Sequence, residues 1–353
     1  MTGRAGLAAR VALLGFGVAG RVFHAPLIAA TVGLELAAIV TSSPDRTRWA
    51  RHAYPSAIVF DNPEAVWSHA SQFDAVVVAG PNAMHAPLAH RALEAGLAVV
   101  VDKPLAVTAD DARGLIAASE SSGVPLTVFL NRRWDGDFLT VRRLIAEGRV
   151  GEVRQFESRF TWWQPTPGPG WKSSATTAEG GGTLYDMGPH LIDQAIQLFG
   201  PVRSVSAQLD RIDPASIADD HAFVRLEHES GVRSRLWMSP QVPLAAPRFW
   251  VLGTDAGYIQ SGLDPQQGQL AEGVGPADRS YGTSPRSRWG RLGTDANSEL
   301  VPTDRGAYQE FYAAFSRALA GEGELPVDPA EAVVTLELIE TLHRSPEGVD
   351  VLV

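Results

Sequence analysis

Asp186 and His190 stand four residues apart in the stretch "EGGGTLYDMGPHLID", residues 179–193. On a helix that spacing puts both side chains on one face, one turn apart. A carboxylate beside an imidazole orients the ring and fixes its tautomer, which general-base chemistry and metal binding both exploit. A glycine-rich loop capping a helix with an ordinary hydrogen-bonded histidine would read the same way, so the rest of the chain must decide. A third candidate is Lys103, in "LAVVVDKP". A lysine leaving a buried strand is either a functional ammonium or a surface cation.

The bulk of the chain narrows the chemistry. Its 353 residues are enough for two domains with proper cores. A composition of 45% hydrophobic and 20% charged residues is that of an ordinary globular protein. The formal net charge of −10 argues against a nucleic-acid or anionic-membrane partner, either of which would want a basic face. Cysteine is absent, which excludes disulfides, thiolate nucleophiles and Cys-ligated zinc. No apolar run approaches the roughly 18 residues of a membrane span. The start, "MTGRAGLAARVALLG", lacks a signal-peptide cleavage pattern, so a cytoplasmic protein is expected.

The elements that must position these residues are legible in the first third. Val11 to Leu14 reads as a buried strand, followed by Gly15, Gly17 and Gly20 as G-x-G-x-x-G and then a helical stretch. The first glycine permits a tight turn, the second lets a pyrophosphate approach the backbone, and the third allows close packing. The loop Gly15, Phe16, Gly17, Val18, Ala19, Gly20 would thus hold a dinucleotide at a helix N-terminus. "LELAAIV", "SAIVF", "FDAVVVAG", "LAVVVDKP" and "PLTVFLN" read as further strands, alternating with helical stretches. That alternation indicates a doubly wound parallel sheet of the Rossmann type, covered on both faces. Ligands bind such sheets beyond the carboxyl ends of the strands. There the sequence places Thr41, Ser42 and Arg46, then Pro81, Asn82 and His85, then Asp102 and Lys103. Hydroxyls with a following arginine, and no acidic residue at the second strand's tip, suit a 2′-phosphate, favouring NADP over NAD. A plain turn with Asp45 and Arg46 in solvent is the alternative.

Beyond about residue 130 the pattern changes. "EVRQFESRF", "SVSAQLD", "HAFVRLE" and "VRSRLWMS" alternate with period two, as strands of an antiparallel sheet do. "RFWVLGTDAGYIQ" reads as a hairpin, and residues 264–305 as a long surface loop. Two helices follow, the second opened by Asp328, Pro329 and Glu331. Trp162, Trp163 and Trp171 could wall a sugar site or belong to the core. The expected division is a dinucleotide-binding domain over 1–130 and an α+β domain over 131–353 with an open, mainly antiparallel sheet. The C-terminal helix is allowed to pack back on the first domain.

The segments "GFGVAG", "GPNAMH", "DKPL", "NRRWDGDF", "GGGTLYDMGPHLID" and "GAYQEFY" together resemble the glucose–fructose oxidoreductase and inositol dehydrogenase family (Gfo/Idh/MocA). "FHAPL" and "LDPQQGQL" look closest to its inositol-dehydrogenase branch. The resemblance implies an NAD(P)-dependent oxidoreductase acting on a sugar or cyclitol, with Lys103, Asp186 and His190 as its catalytic group. It departs from the family where the usual Glu before the lysine is Asp102. Asn131 and Arg132 are counted with the cofactor site, and Trp162 and Trp171 with the substrate. His190 could take a hydroxyl proton, since a free imidazole titrates near pH ~6.5. Lys103 could hydrogen-bond the same oxygen or serve as the base itself. No metal is expected. A homodimer or homotetramer is, because the free face of the second sheet invites a symmetry mate. Two other readings remain: a glycoside hydrolase that uses tightly held NAD by transient oxidation, and a non-catalytic NAD(P)-binding regulator.

Overall fold

Runs of valine, leucine, isoleucine and alanine with no polar alternation are stable as strands only when both faces are covered. Six such runs form the parallel sheet: β1 (Ala9–Leu14), β2 (Leu34–Val40), β3 (Ile58–Phe60), β4 (Ala75–Val78), β5 (Ala98–Asp102) and β6 (Leu126–Phe129). Their order is β3-β2-β1-β4-β5-β6, so chain direction across the sheet reverses between β1 and β4. Val11 to Leu13, Val76 to Val78 and Val99 to Val101 are wholly buried. Each such side chain contributes roughly 1.5–3 kcal/mol by leaving water. In this computed structural model the described residues are 8–164, 166, 171–345 and 347–353, without the side chains of 172 and 173. The first seven residues, on which the expectation about a cleavage pattern partly rests, lie outside them.

The chain divides into two compact units. One comprises Met1–Asn131, Gln267–Tyr281 and Tyr308–Val333; the other Arg132–Gln266, Gly282–Ala307 and Val334–Val353. The second unit carries a nine-stranded sheet made of β7 (Val153–Thr161), β8 (Val202–Asp210), β9 (His221–His228), β10 (Arg233–Ser239), β11 (Phe249–Gly253), β12 (Gly257–Gln260), β13 (Gly290–Gly293), β14 (Ser298–Val301) and β15 (Val351–Leu352). Neighbours are antiparallel except β7 with β10, which makes the sheet mixed. One face packs on the helix Thr183–Phe199, where Phe199 meets Phe156 of β7 at 5.3 Å between ring centroids. The other face carries the row Arg225, Arg235, Glu157, Trp250, Ile259, Arg291 and Leu300, each opposite the next across neighbouring strands.

The expected hairpin is present, with Leu252 opposite Gly257. The expected long surface loop over 264–305 is not. That stretch holds the helix Gln266–Ala271, the strand β13 and the edge strand β14, with Asp264, Gln266 and Tyr281 buried. Two four-residue strands are too short to carry a readable alternation, and pairing of β13 with β12 and of β14 with β13 supplies what local propensity lacks. The helix Gly136–Ala146 was likewise not anticipated, nor was β15. Among the described residues no helix is long and apolar enough to cross a membrane.

Candidate active site

In the first unit, residues following β1, β2, β4, β5 and β6 gather at the carboxyl edge of the parallel sheet. Gly15 ends β1 with φ +102°, and a Cβ there would sit 2.5 Å from the Ala79 carbonyl oxygen beyond β4. Only glycine allows β1 and β4 to end so close together. A Cβ on Gly20 would strike the Gly15 carbonyl, so this glycine packs the helix onto the turn. Gly17 differs: its Cβ would meet nothing within 4 Å, and its φ lies outside the left-handed region. The fold does not require glycine at that position. An open, side-chain-free surface at a helix start, where main-chain N–H groups lack carbonyl partners, suits a pyrophosphate. The site therefore fits a dinucleotide.

The helix after the glycines opens with a π turn, Ala19–His24, and continues as Ala25–Ala30. Pro26 lies just past that turn, and the widened turn gives its ring room within the helix. Phe16 is buried, its ring 5.3 Å from Trp49, while Val18 is exposed. After β2, Thr41 is buried and Ser42 exposed. Ser43 caps the helix Pro44–Ala53 through its hydroxyl. Arg46 is exposed and forms no ion pair among the described residues, whereas Asp45 pairs with Arg48. After β4, Pro81 is exposed and Asn82 buried. His85 is enclosed between two carbonyls, Nδ1 2.7 Å from Pro104 and Nε2 3.1 Å from Gly80, so it ties the ends of β4 and β5 together. Burial lowers its pKa, against the opposing charge of Asp102 and the two carbonyls. Asp102 accepts the Lys103 main-chain N–H at 2.9 Å, and the Lys103 side chain is half-buried. Asn131 follows β6 and is buried. Of the 30 cationic residues only Lys103 and Lys172 are lysines, the others being arginine. An arginine cannot give up its proton in a protein and a lysine can, which sets Lys103 apart.

In the second unit the helix Thr183–Phe199 carries Asp186 in its first turn and His190 one turn later. Positive potential at a helix N-terminus favours a carboxylate there. Asp186 is half-buried and His190 buried. The helix start is fixed from outside: the Asp219 carbonyl accepts the Thr183 N–H and its carboxylate accepts the Leu184 N–H, each at 2.8 Å. Gly182 has φ +98°, and a Cβ there would also run into that carboxylate, so both the backbone and the space require glycine. Burial pushes the Asp219 carboxyl up to about 6, with Asp220 adding to the effect. Asp219 was missed in the sequence, since nothing in "SIADDHAF" distinguishes a cap for a helix that begins 36 residues earlier.

Of the other second-unit candidates, only Arg132 is buried. The Arg132 guanidinium lies 4.2 Å from the Phe160 ring centroid and pairs with Asp135 at 3.3 Å. Trp162, at the end of β7, is half-buried and donates to Gln164 at 3.2 Å. Trp163 is exposed, which removes it from the core. Trp171 opens the short helix Trp171–Ser174 and is half-buried.

A dinucleotide cradle at the reversal point of a parallel sheet, joined in one chain to a large mixed sheet, has the architecture of a two-unit dinucleotide-binding protein. Two family models extend this over most of the chain: the NAD-binding Rossmann fold of the GFO/IDH/MocA oxidoreductase family matches residues 9–130, and its C-terminal domain residues 138–259. The chain belongs to that family. It is 40% identical to the uncharacterized oxidoreductase YdgJ of Escherichia coli, over 94% of either chain. It is 31% identical to the scyllo-inositol 2-dehydrogenase (NADP(+)) IolW of Bacillus subtilis, over 95% of this chain and 93% of that one. Among solved structures, the yvaA protein of Bacillus subtilis matches with a TM-score of 0.91 at 29% identity, covering 99% of this chain and 100% of that one.

Proposed function

We propose that the protein is an NAD(P)-dependent dehydrogenase or reductase acting on a secondary alcohol or ketone carbon of a sugar, cyclitol or sugar derivative. The open backbone at Gly17 carries the reading, because the fold itself has no use for a glycine there. The chain-length likeness to an inositol dehydrogenase supports the substrate class. A nicotinamide cofactor, when bound, supplies the redox chemistry by exchanging a hydride with the substrate carbon.

The chain's residues bind, orient and move one proton. The loop Gly15 to Gly20 holds the pyrophosphate. Thr41, Ser42 and Arg46 hold the ribose end, where an exposed, unpaired arginine favours NADP. Pro81, Asn82, Asp102, Asn131 and Arg132 shape the rest of the cofactor site, and His85 holds its backbone. Lys103 donates to the reacting oxygen and stabilises the charge that grows there. His190 takes or returns the hydroxyl proton, and Asp186 orients its ring. Trp162 and Trp171 offer apolar surface to the substrate. Nothing in this scheme asks for a transmembrane segment, and the protein is assigned to the cytoplasm.

The test is calorimetric and kinetic. Wild-type protein, Lys103→Met and His190→Ala should bind NADP+ alike, while only the wild type turns over a polyol. Loss of NADP+ binding in His190→Ala would mean that residue belongs to the cofactor site.

The second unit's sheet has a further role in assembly. Trp250, Ile259 and Leu300 are 40%, 39% and 48% exposed on its open face, in one cross-strand row with charged residues. A second copy of the chain would cover that face. Sedimentation at micromolar concentration should give a dimer or tetramer, and a monomer would contradict this assembly.

A further inference from the structure

Two residues from motifs that the proposed chemistry leaves unused meet behind Lys103. His24 lies in "FHAPL" and Tyr312 in "GAYQEFY", and both are wholly buried in the first unit. The Tyr312 hydroxyl is 2.6 Å from His24 Nδ1. The Phe129 ring holds the imidazole from one side, 4.4 Å between centroids. His24 Nε2 has no hydrogen-bond partner among the described residues and faces Asp102 Oδ1 at 3.8 Å. That same oxygen accepts the Lys103 main-chain N–H.

We propose that Tyr312 and His24 form a buried hydroxyl–imidazole–carboxylate relay that holds Asp102 in place beneath Lys103, making both positioning residues for the lysine. Proton placement follows from which atoms can donate. A carboxylate only accepts, so Nε2 carries the imidazole proton toward it, and Nδ1 takes the Tyr312 O–H. Tyr312 keeps its proton because burial, and then the charge of Asp102, push its hydroxyl well above the ordinary range. Burial would raise the Asp102 carboxyl too. The His24 ring facing it and the charge of Lys103 outweigh burial and keep it below the ordinary range. At 3.8 Å the imidazole–carboxylate contact is about 1 Å beyond a hydrogen bond, and the neutral ring acts on the carboxylate through its Nε2–H dipole. Asp102, His24, His85 and Tyr312 are ionisable groups of this unit that act on one another at the end of β5, next to Lys103.

The relay's kinetic importance rests on the reading of Lys103 given above; its existence does not.

Reductive methylation with 13C-formaldehyde labels the two lysines and the N-terminal amine; Lys172→Arg removes one signal, the α-amine is recognised by its lower titration range, and the remaining signal is Lys103. A neighbouring carboxylate supports a charged amine by about one pH unit or more. The Lys103 midpoint should therefore fall by about one unit in Asp102→Asn. It should fall in the same direction, by less, in Tyr312→Phe and His24→Leu, with His24→Gln restoring part of the loss. Lys172 is the internal reference and should stay put. Tyr312→Phe keeps the ring and its packing, so folding is not at issue. An unmoved Lys103 midpoint in Tyr312→Phe and His24→Leu, or in Asp102→Asn, overturns the relay. If the midpoints move as stated while Lys103→Met keeps full turnover, the relay stands and the catalytic reading of Lys103 fails.

Discussion

Gly15, Gly17 and Gly20 look equivalent in sequence, yet the structure gives them different reasons to be glycine, and alanine or valine separates those reasons. At Gly15 a Cβ lies 2.5 Å from the Ala79 carbonyl oxygen, on a backbone with φ +102°. The left-handed conformation costs an L-residue about 1–2 kcal/mol. Forcing β1 from β4 adds roughly 1–3 kcal/mol of overpacking. Gly15→Ala should therefore lose about 2–5 kcal/mol, or roughly 5–15 °C in Tm. Gly17→Ala meets open space on an unstrained backbone. Its effect on stability should stay within about 1 kcal/mol, tending to stabilise by restricting the unfolded chain. Gly17→Val, by contrast, fills the pyrophosphate's place, and NADP+ affinity should drop at least 100-fold, about 2.7 kcal/mol. Thermal unfolding with and without NADP+, together with titration calorimetry, reads both quantities. Wild-type affinity in Gly17→Val, or equal Tm losses in Gly15→Ala and Gly17→Ala, would refute the assignment of the cradle.

His190→Ala should lower kcat by at least about 100-fold with little change in cofactor affinity, and Asp186→Asn by a similar order. Their double variant should be scarcely worse than either, since an orienter and its base act as one unit; multiplicative losses in steady-state kinetics would separate them. Arg46→Ala should weaken NADP+ more than NAD+ in calorimetry, and equal weakening would remove the 2′-phosphate role. Asp219, at about 6 when folded and near 3.9 when unfolded, binds its proton more tightly in the folded protein. Its contribution to stability should accordingly fall as pH rises from about 4 to 6, by up to about 3 kcal/mol. Urea unfolding at either end of that window should show a flatter dependence in Asp219→Asn; identical slopes would place the titration elsewhere.

The parallel sheet was legible because its strands are buried on both faces and contain almost nothing but Val, Ile, Leu and Ala. Its order and glycine turn then follow from general rules of chirality and close approach. The alternating strands of the second sheet were legible for the same kind of reason, one face being buried and one not. What escaped the sequence depends on partners far along the chain. β13 is a strand because β12 offers it an edge, and β14 because β13 then does. Asp264 is a buried acceptor for the Gly136 N–H, 128 positions away, although its surroundings read as a loop. The same holds at the site. Lys103, Asp186 and His190 announce themselves by residue type and spacing, whereas His24 and Asp219 matter through what folding brings to them. "FHAPL" was visible as a motif, but no local pattern tells that its histidine is wholly buried against a tyrosine 288 positions away.

Oxidation or reduction of a carbinol carbon of a polyol with a nicotinamide cofactor can be followed directly. A panel of cyclitols, aldoses and keto-sugars is incubated with the protein and each of NADP+, NAD+, NADPH and NADH, followed at the NAD(P)H absorbance. At least one cyclitol or sugar should change that absorbance in proportion to enzyme, faster with the phosphorylated cofactor, and His190→Ala should abolish the change. A panel with no absorbance change from any member, or sugar consumption with the cofactor's redox state unaltered, would contradict that chemistry.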